Sequence, residues 1–238
     1  MISYILIGLI AYFVGSISFS IIFTKAFTGE DIRDKGSGNA GSTNVFRSIG
    51  AIPAVLTLIC DALKGVIVIA IAYLFGKWFG LDDNGKALLV ELAAIFVVIG
   101  HMFPIYYKFR GGKGVATSLG VILTINWRIG LACAVFAVII IAITRMVSIG
   151  SIGAAIQYPV LCLFITKETF IISGEANQLI YVLFGTILAA LVIWKHRANI
   201  GRLASGEENR LSFGSKNKNK KKSKKEESDE DDEEFVEI

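Results

Sequence analysis

The sequence is poor in charge, in patterned cysteine and in the usual motifs of soluble enzymes. Only 18% of its residues are charged, against roughly 25% in soluble domains. Its three cysteines stand far apart in apolar runs without CxxC spacing, which predicts small buried hydrophobic residues. It contains no HEXXH motif, no GxSxG elbow and no acidic cluster of metal-site type. These absences exclude a soluble enzyme and a disulfide scaffold, and they leave metal or covalent serine catalysis without support.

Long apolar runs dominate what the sequence does contain. Hydrophobic residues make up 54% of the chain, and the mean hydropathy is +0.63. A run of about 20 residues rises about 30 Å as a helix, enough to cross a bilayer. The first run lacks a basic start and an A-x-A cleavage site, so we predict a retained span rather than a signal peptide. The seven runs are Met1–Phe23, Ala51–Gly76, Ala87–Tyr107, Val115–Trp127, Gly130–Thr144, Ile149–Thr166 and Leu179–Trp194.

Basic residues predict how these runs are oriented. The fourth run rises only about 20 Å, so a re-entrant segment is the alternative to a short span. Seven spans with the N-terminus outside place 19 Lys and Arg residues on the cytoplasmic side and four outside. The positive-inside rule strongly favours that arrangement. The sequence therefore predicts an all-α polytopic membrane protein with about seven transmembrane helices, its N-terminus outside and its C-terminus cytoplasmic.

The chain divides into a membrane domain and a charged tail. Residues 1–211 form the predicted transmembrane domain. Residues 212–238 carry a basic block, Lys216–Lys225, followed by an acidic block, Glu226–Glu237. Because this segment has almost no apolar residues to bury, we expect a disordered cytoplasmic tail that is dispensable for chemistry. Its lysines would touch anionic inner-leaflet lipid, or the two blocks would neutralise each other.

Three short polar segments reach the cytoplasmic face in this topology. The first, 36–47, begins with nine consecutive Gly, Ala, Ser, Thr or Asn residues. Small residues let backbone N–H groups approach an anion, and Arg47 adds a bidentate donor. A flexible loop is the alternative. The candidate binding residues are Gly36, Ser37, Asn39, Gly41, Thr43 and Asn44.

The second segment, 108–117, places glycines on both sides of Lys113, directly before an apolar run. Backbone donors, the lysine charge and a helix N-terminus together suit a phosphate. The Walker A spacing is absent, and a plain positive-inside loop is the alternative. His101, about two turns inside the third span, is a further ionisable candidate. The remaining candidates are Gly111, Gly112, Gly114 and Thr117.

The third segment, 195–207, follows the last apolar run. His196, Asn199 and, less squarely, Arg202 share one face if the last helix continues. An interfacial anchor built on Trp194 and its basic neighbours is the alternative. The candidate residues here are His196, Asn199, Arg202, Gly206 and Glu207. With the other two segments, this one predicts a cytoplasm-facing anion site for phosphate groups.

Three ionisable residues lie within the predicted spans. Asp61 and Lys64 stand three residues apart in the second span, where an ion pair would partly cancel the cost of burying both charges. Such a pair would be structural or would orient the first segment. Glu91, near the outer end of the third span, is predicted to reach the headgroups.

The three segments together resemble the signature motifs of the bacterial PlsY family. GSGNAGSTNVFR, GHMFPIYYKFRGGKGVAT and HRANIGRLASGEE occur in the family's order and with similar spacing within about residues 1–210. Members are membrane glycerol-3-phosphate acyltransferases with seven spans, an extracellular N-terminus and cytosolic motifs. They use acyl phosphate as donor. They lack the HxxxxD motif of soluble-type acyltransferases, and here Tyr106 and Gly201 stand five residues after the two histidines.

The resemblance implies an enzyme of phospholipid synthesis in the bacterial cell membrane, with its active site facing the cytoplasm and no cofactor or metal. A fatty acyl group would pass from long-chain acyl phosphate to the 1-hydroxyl of glycerol 3-phosphate, giving lysophosphatidate and phosphate. Residues 1–211 would be the acyltransferase domain. The acyl chain would enter between spans from the inner leaflet. A soluble acyl-phosphate synthase would hand over the donor, and no nucleic acid partner is expected.

The resemblance also implies roles for the site residues. The loop 111–114 would hold a phosphate, either that of the acyl phosphate or that of glycerol 3-phosphate, between which the sequence does not decide. Lys113 and Arg47 would stabilise charge on the leaving phosphate and the tetrahedral centre. The proton would pass to a phosphate oxygen, or to His101 or His196 as general base. The residues that would surround glycerol 3-phosphate are Ser37, Arg47, His196 and Asn199.

Two other functions fit parts of the pattern. A transporter of a phosphorylated metabolite would also carry cytoplasmic anion-binding residues. The sequence has no convincing repeat between its halves, however, and its charges cluster at one face rather than at the midplane. A nonenzymatic scaffold would use the charged tail to bind a soluble partner, and it would lose function on truncation after Leu211.

Overall fold

The structure is a computed structural model that describes residues 1–164 and 177–211. All regular secondary structure within these ranges is helical, which confirms the predicted all-α class. The predicted tail, 212–238, and the end of the sixth apolar run lie outside the described residues. The α-helices are α1 (Ile2–Gly15), α2 (Phe19–Thr28), α3 (Ser42–Ser48), α4 (Ala51–Trp78), α5 (Asp83–Met102), α6 (Val115–Ile125), α7 (Trp127–Thr144), α8 (Val147–Phe164), α9 (Gln178–Lys195) and α10 (Arg197–Ala204).

Six helical segments in the described part of the chain are long and apolar enough to cross a membrane. This confirms a multi-pass membrane protein. The fourth predicted span corresponds to α6, which has only 11 residues. Seven spans and the orientation of the termini therefore stay predictions. The six segments are Ile2–Thr28, Ala51–Trp78, Asp83–Tyr107, Trp127–Thr144, Val147–Phe164 and Gln178–Lys195.

The first predicted span is broken in the middle. Helix α1 ends at Gly15 and α2 begins at Phe19, so the carbonyl of Ile17 lies between two helices. Lys64 of α4 donates from Nζ to this carbonyl at 2.8 Å. A break inside a membrane helix is tolerated where protein groups satisfy the freed backbone. The lysine therefore compensates for the interrupted helix.

Lys64 is the centre of a buried polar network. Its side chain is 3% exposed, and Nζ lies 2.8 Å from Asp61 Oδ1, which confirms the predicted ion pair. Nζ also lies 2.9 Å from His101 Nδ1. An ammonium group has no lone pair, so the histidine accepts this bond and, when neutral, carries its proton on Nε2. The network joins the break in the first span to α4 and the C-terminal end of α5.

The predicted exposure of Glu91 is wrong. Glu91 is only 2% exposed, and its Oε1 has no hydrogen-bond partner among the described residues. The reason is the central position of α5, which packs against α1, α4, α6 and α9. The distance of a residue from the end of its helix, counted along the sequence, does not reveal how many other helices surround that residue.

The loop that carries Lys113 enters the helix bundle. Helices α6 and α7 form an antiparallel hairpin around Asn126, whose Oδ1 accepts bonds from the first amides of α7. The 11 residues of α6 rise about 16 Å, whereas the 18 residues of α7 rise about 27 Å. Helix α6 therefore begins well inside the level at which α7 ends. The preceding loop, 103–114, must reach inward to meet it.

Helices α1 and α5 approach each other through glycines. A Cβ atom at Gly15 would overlap the carbonyl oxygen of Val97, and one at Gly100 would overlap the carbonyl oxygen of Tyr12. Small residues at such crossings let helix backbones pack directly in membranes. This contact fixes α5, and with it the end of the helix from which the second polar segment leaves.

We expect Gly15→Ala and Gly100→Ala each to lower stability by roughly 1–3 kcal/mol, because the added methyl meets backbone that cannot rotate away. Gly8→Ala on the same face is the matched control, since its Cβ would lie 3.8 Å from the Phe96 ring. The thermal unfolding midpoints of the three variants in one lipid nanodisc preparation test this. Equal midpoints for all three would contradict the assigned contact.

Candidate active site

The three polar segments meet pairwise at one end of the bundle. The first touches the second where the Ala40 carbonyl approaches Gly112. The second touches the third through a short hydrogen bond from Lys113 Nζ to Asn199 Oδ1. The first also reaches the residues just after the third, where Arg47 Nη2 donates to the Asn209 carbonyl at 3.0 Å. Segments separated by up to 162 positions therefore form a single site.

Asn44 holds the first segment in its shape. Its Nδ2 donates to the carbonyls of Ile32, Lys35 and Asn39 at 2.9–3.2 Å, and its Oδ1 accepts from the Ser37 amide at 3.0 Å. Gly36 lies at φ 55°, and a Cβ there would overlap Oδ1 of the asparagine. Asn44 and Gly36, which were both predicted to bind the ligand, thus shape the loop instead. Contact with the ligand is left to the other residues of the first segment.

The glycines of the second segment pack tightly against His101. A Cβ at position 111 would overlap the His101 carbonyl, and one at 112 would overlap its Nε2. The Gly112 amide donates to the His101 carbonyl at 3.1 Å. That amide is therefore used inside the protein rather than offered to a phosphate. The close packing carries the loop inward and points it at the third segment.

Glu208 is a hub that the sequence analysis missed. Its Oε1 accepts from Asn199 Nδ2 at 2.7 Å and from Ser148 Oγ at 3.0 Å, and its Oε2 accepts from Arg202 Nε at 3.0 Å. The predicted Glu207 is exposed, and its carboxylate accepts a bond from Ser205 Oγ rather than from the cation cluster. No helical periodicity covers both glutamates, because α10 ends at Ala204 and the chain then turns.

Three cations surround this single buried carboxylate. Lys113 and Arg47 both interact electrostatically with Glu208 and with Arg202. Burial, and then repulsion from Arg202 and Arg47, lowers the pKa of Lys113 to about 8. Burial by itself would raise the pKa of Glu208, but hydrogen bonds from Asn199 and Ser148 and the charge of Arg202 hold it below its usual value. The balance of charge is positive, as an anion site requires.

Comparison with known proteins shows the family of this chain. The chain matches the glycerol-3-phosphate acyltransferase family over residues 5–206. It is 42% identical over 209 residues to a glycerol-3-phosphate acyltransferase of Clostridioides difficile, covering 88% of this chain and 96% of that protein. It is 39% identical over 214 residues to one of Paraburkholderia phymatum, covering 90% and 94%. The chain belongs to the glycerol-3-phosphate acyltransferase family.

Solved structures agree in fold as well as in sequence. A crystal structure of PlsY (YgiH), an integral membrane glycerol 3-phosphate acyltransferase in its glycerol 3-phosphate form, is similar with a TM-score of 0.75 and 33% identity. It covers 88% of this chain and 96% of its own. The lysophosphatidic acid form is similar with a TM-score of 0.73. The predicted resemblance is confirmed, and the protein is a glycerol-3-phosphate acyltransferase.

The two histidines of the acyltransferase lie in different surroundings. His196 is buried between α9 and α10, where Nδ1 donates to the Val192 carbonyl at 2.8 Å. Burial and the nearby charge of Lys113 lower the pKa of His196 to about 4. His101 instead contacts Lys64 and Asp61, which lies 3.4 Å from its Nδ1. Only His196 adjoins the cation cluster.

The remaining predicted residues lie around this centre. Thr117 is fully buried one turn into α6, and its hydroxyl has no hydrogen-bond partner in the described ranges. Ser37 is exposed, as is Gly206, which lies two residues after the end of α10. Asn39, Gly41 and Thr43 are partly exposed at the start of α3, and Gly114 directly precedes α6. The predicted residues that the structure gathers are Arg47, Lys113, His196, Asn199 and Arg202.

An apolar pocket adjoins the polar site. It has a cavity volume of about 80 Å³ and lies between α6, α7, α8 and α9. One wall begins at Val115, two residues after Lys113, and another ends at Val192, whose carbonyl binds His196. Over residues 1–164 and 177–211, His, Cys, Asp and Glu side chains form no group of three that could hold a metal ion.

We expect Glu208→Gln to lower kcat/KM at least tenfold, because the three cations lose the charge that balances them and Asn199 loses an ionic acceptor. Glu207→Gln, one position away and exposed, is the matched control and should keep normal activity. Initial rates of lysophosphatidate formation by the two variants, measured in protein of equal thermal stability, test this. Equal rates would remove Glu208 from the site.

Proposed function

We propose that the acyltransferase uses a long-chain acyl phosphate as donor and that residues 1–211 carry the activity, with the site facing the cytoplasm. The observation that carries this proposal is a cluster of three cations around one carboxylate, close to an apolar pocket. Two phosphates and one hydrocarbon chain need this combination. A transporter would not need an apolar pocket beside its anion site.

The cluster suits two phosphate groups rather than one. Lys113 rises from the loop before α6, next to the start of the pocket, so we assign it to the phosphate of the acyl donor. Arg47, with Asn199 and His196 nearby, is assigned to glycerol 3-phosphate. A guanidinium group binds phosphate through two parallel bonds. A similar solved structure, PlsY in its glycerol 3-phosphate form, supports a polar subsite for that molecule.

The acyl transfer needs little activation of the attacking hydroxyl. The 1-hydroxyl oxygen attacks the acyl carbonyl carbon, the bond from that carbon to the phosphate oxygen breaks, and phosphate departs with the electron pair. Lys113 and Arg47 stabilise the charge on the leaving phosphate. Because acyl phosphate is a mixed anhydride, its leaving group departs without protonation by the protein.

The pKa of His196 favours a phosphate oxygen as proton acceptor. A histidine with a pKa of about 4 is a weaker base than a phosphate group, whose second pKa is about 6. Its Nδ1 donates to a backbone carbonyl, so Nε2 of the neutral ring can accept a bond from the substrate hydroxyl. We therefore assign His196 to positioning the hydroxyl and the proton to phosphate. His101, with its bonds to the Lys64 network, supports the loop.

The distribution of basic residues supports a cytoplasmic site. Besides the cluster, Arg145, Lys195 and Arg197 lie at the same end of the bundle. The Arg145 carbonyl accepts from the Leu211 amide at 2.7 Å, and Lys195 Nζ donates to the Met102 carbonyl at 3.0 Å. Basic residues concentrate on the cytoplasmic side of membrane proteins. Acyl phosphate and inner-leaflet lipid would reach the pocket from that side.

We expect kcat/KM to fall above pH about 8, because Lys113 is charged below its pKa of about 8 and loses its proton as the pH rises. In Lys113→Arg the cation persists to much higher pH, so the fall should move upward. In Lys113→Ala the rate should drop at least a hundredfold at every pH. Rates corrected for spontaneous hydrolysis of the donor test this. A fall at the same pH in an active Lys113→Arg variant would contradict the assignment.

The donor is tested directly with protein in lipid nanodiscs. We expect palmitoyl phosphate and glycerol 3-phosphate to give equal amounts of phosphate and lysophosphatidate, and palmitoyl-CoA to give none. A chain ending at Leu211 should react at the same rate. Turnover from palmitoyl-CoA alone would overturn the donor assignment. Uptake of a phosphorylated metabolite by proteoliposomes, without acyl chemistry, would favour a transporter instead.

A further inference from the structure

The side chains that line the apolar pocket differ in size along its length. Its middle walls are lined by small side chains, so the space there is open. Large side chains close the far end. The small wall residues are Ala134, Ala137, Ser151, Ala154, Ala155 and Ala189. The large residues at the far end are Ile122, Tyr158 and Leu188.

Helix α8 gives the depth of this far end. Ser148, at its start, donates to Glu208 in the polar site. Ser151 and Ala155 line the pocket one and two turns farther along, and Tyr158 lines it at the third turn. The ten residues from Ser148 to Tyr158 span about 15 Å, which is half of the roughly 30 Å hydrocarbon thickness of a bilayer. The pocket thus closes at about the depth of one leaflet.

The Tyr158 ring is held firmly in place. The residue is 1% exposed. Its ring lies against the backbone of α9 at Gly185, where an added Cβ would be only 2.9 Å from the ring carbon Cε1. The hydroxyl group has no hydrogen-bond partner in the described part of the chain. Packing against the backbone of α9 therefore positions this ring and prevents it from swinging aside.

A polar layer lies beside and beyond this ring. Glu91 of α5, also fully buried, interacts electrostatically with Tyr158, Cys162 and Tyr181. Neither the Tyr158 hydroxyl nor Glu91 Oε1 has a hydrogen-bond partner that the described residues supply. A hydrocarbon chain is stabilised when it leaves water for apolar surroundings. This polar layer does not provide such surroundings. The open apolar path ends at the tyrosine.

We propose that Tyr158 is the floor of the acyl-chain pocket and sets the upper limit of acyl-chain length. The inference rests on the proposed function, because it takes this pocket as the place of the acyl chain. Chains no longer than one leaflet fit between the phosphate site and the ring. Longer chains must bend or leave their ends outside the pocket. Tyr158 is a specificity-determining residue on this view and takes no part in the chemical step.

The test compares kcat/KM for saturated acyl phosphates of increasing chain length in wild-type protein and variants. For the wild type we expect a sharp fall beyond one chain length. In Tyr158→Ala the fall should move to longer chains, with a gain of roughly fourfold for each further methylene that enters. Tyr158→Phe keeps the ring and should keep the wild-type profile. Tyr181→Ala, which removes a buried tyrosine outside the pocket lining, is the matched control and should also keep it.

A folded Tyr158→Ala variant with the wild-type profile would overturn the proposal, as would the same shift in Tyr181→Ala. If Tyr158→Ala does not fold, Leu188→Ala opens the same end by a smaller amount, and an unchanged profile there overturns the proposal equally. Binding affinities for lysophosphatidates of the same chain lengths test the role of Tyr158 independently of the donor assignment. If no acyl phosphate reacts, the donor assignment fails, and a length limit in product binding that Tyr158→Ala relaxes still supports the floor.

Discussion

The cationic site depends on the carboxylate of Glu208, because three positive side chains close to one another repel each other. The carboxylate accepts bonds from Ser148 of α8 and from Asn199 and Arg202 of α10, and through Asn199 it reaches Lys113. Without it, burial and mutual repulsion would disfavour the charged forms that a phosphate needs. One anion of the protein thus keeps several cations in place while leaving an excess of positive charge for the substrates.

A second buried network connects the membrane interior to this site. Lys64 binds Asp61, the freed carbonyl of the broken first span and His101. His101 in turn holds the glycine loop that precedes Lys113. Charges in a bilayer are costly unless they are paired. Here their pairing also fixes the loop on which the phosphate assignment depends, so we propose that Lys64 and His101 act through structure rather than by touching substrate.

Small side chains have two roles in this bundle. Gly15 and Gly100 let α1 and α5 pack backbone to backbone, and Gly112 lets the second polar loop lie on His101. The alanines of α7 and α8 leave open space instead, and that space is the apolar pocket. The difference lies in what faces each small residue, because a glycine opposite backbone closes a gap whereas an alanine opposite another alanine leaves one.

The amino-acid sequence by itself determined the helical class, the membrane location and the family, because apolar runs and clustered polar motifs are local features of the chain. It also identified Arg47, Lys113 and Asn199 as candidate site residues. Only the tertiary structure decided that Glu208 rather than Glu207 faces this site, that Glu91 is buried and that the first span is broken. Each of these depends on which helix lies opposite. The same is true of the bond from Ser148 to Glu208 and of the position of Tyr158 in the pocket. No spacing in the sequence records the distance across a bundle, so the hub of the site and the end of its pocket emerge only when the helices are packed.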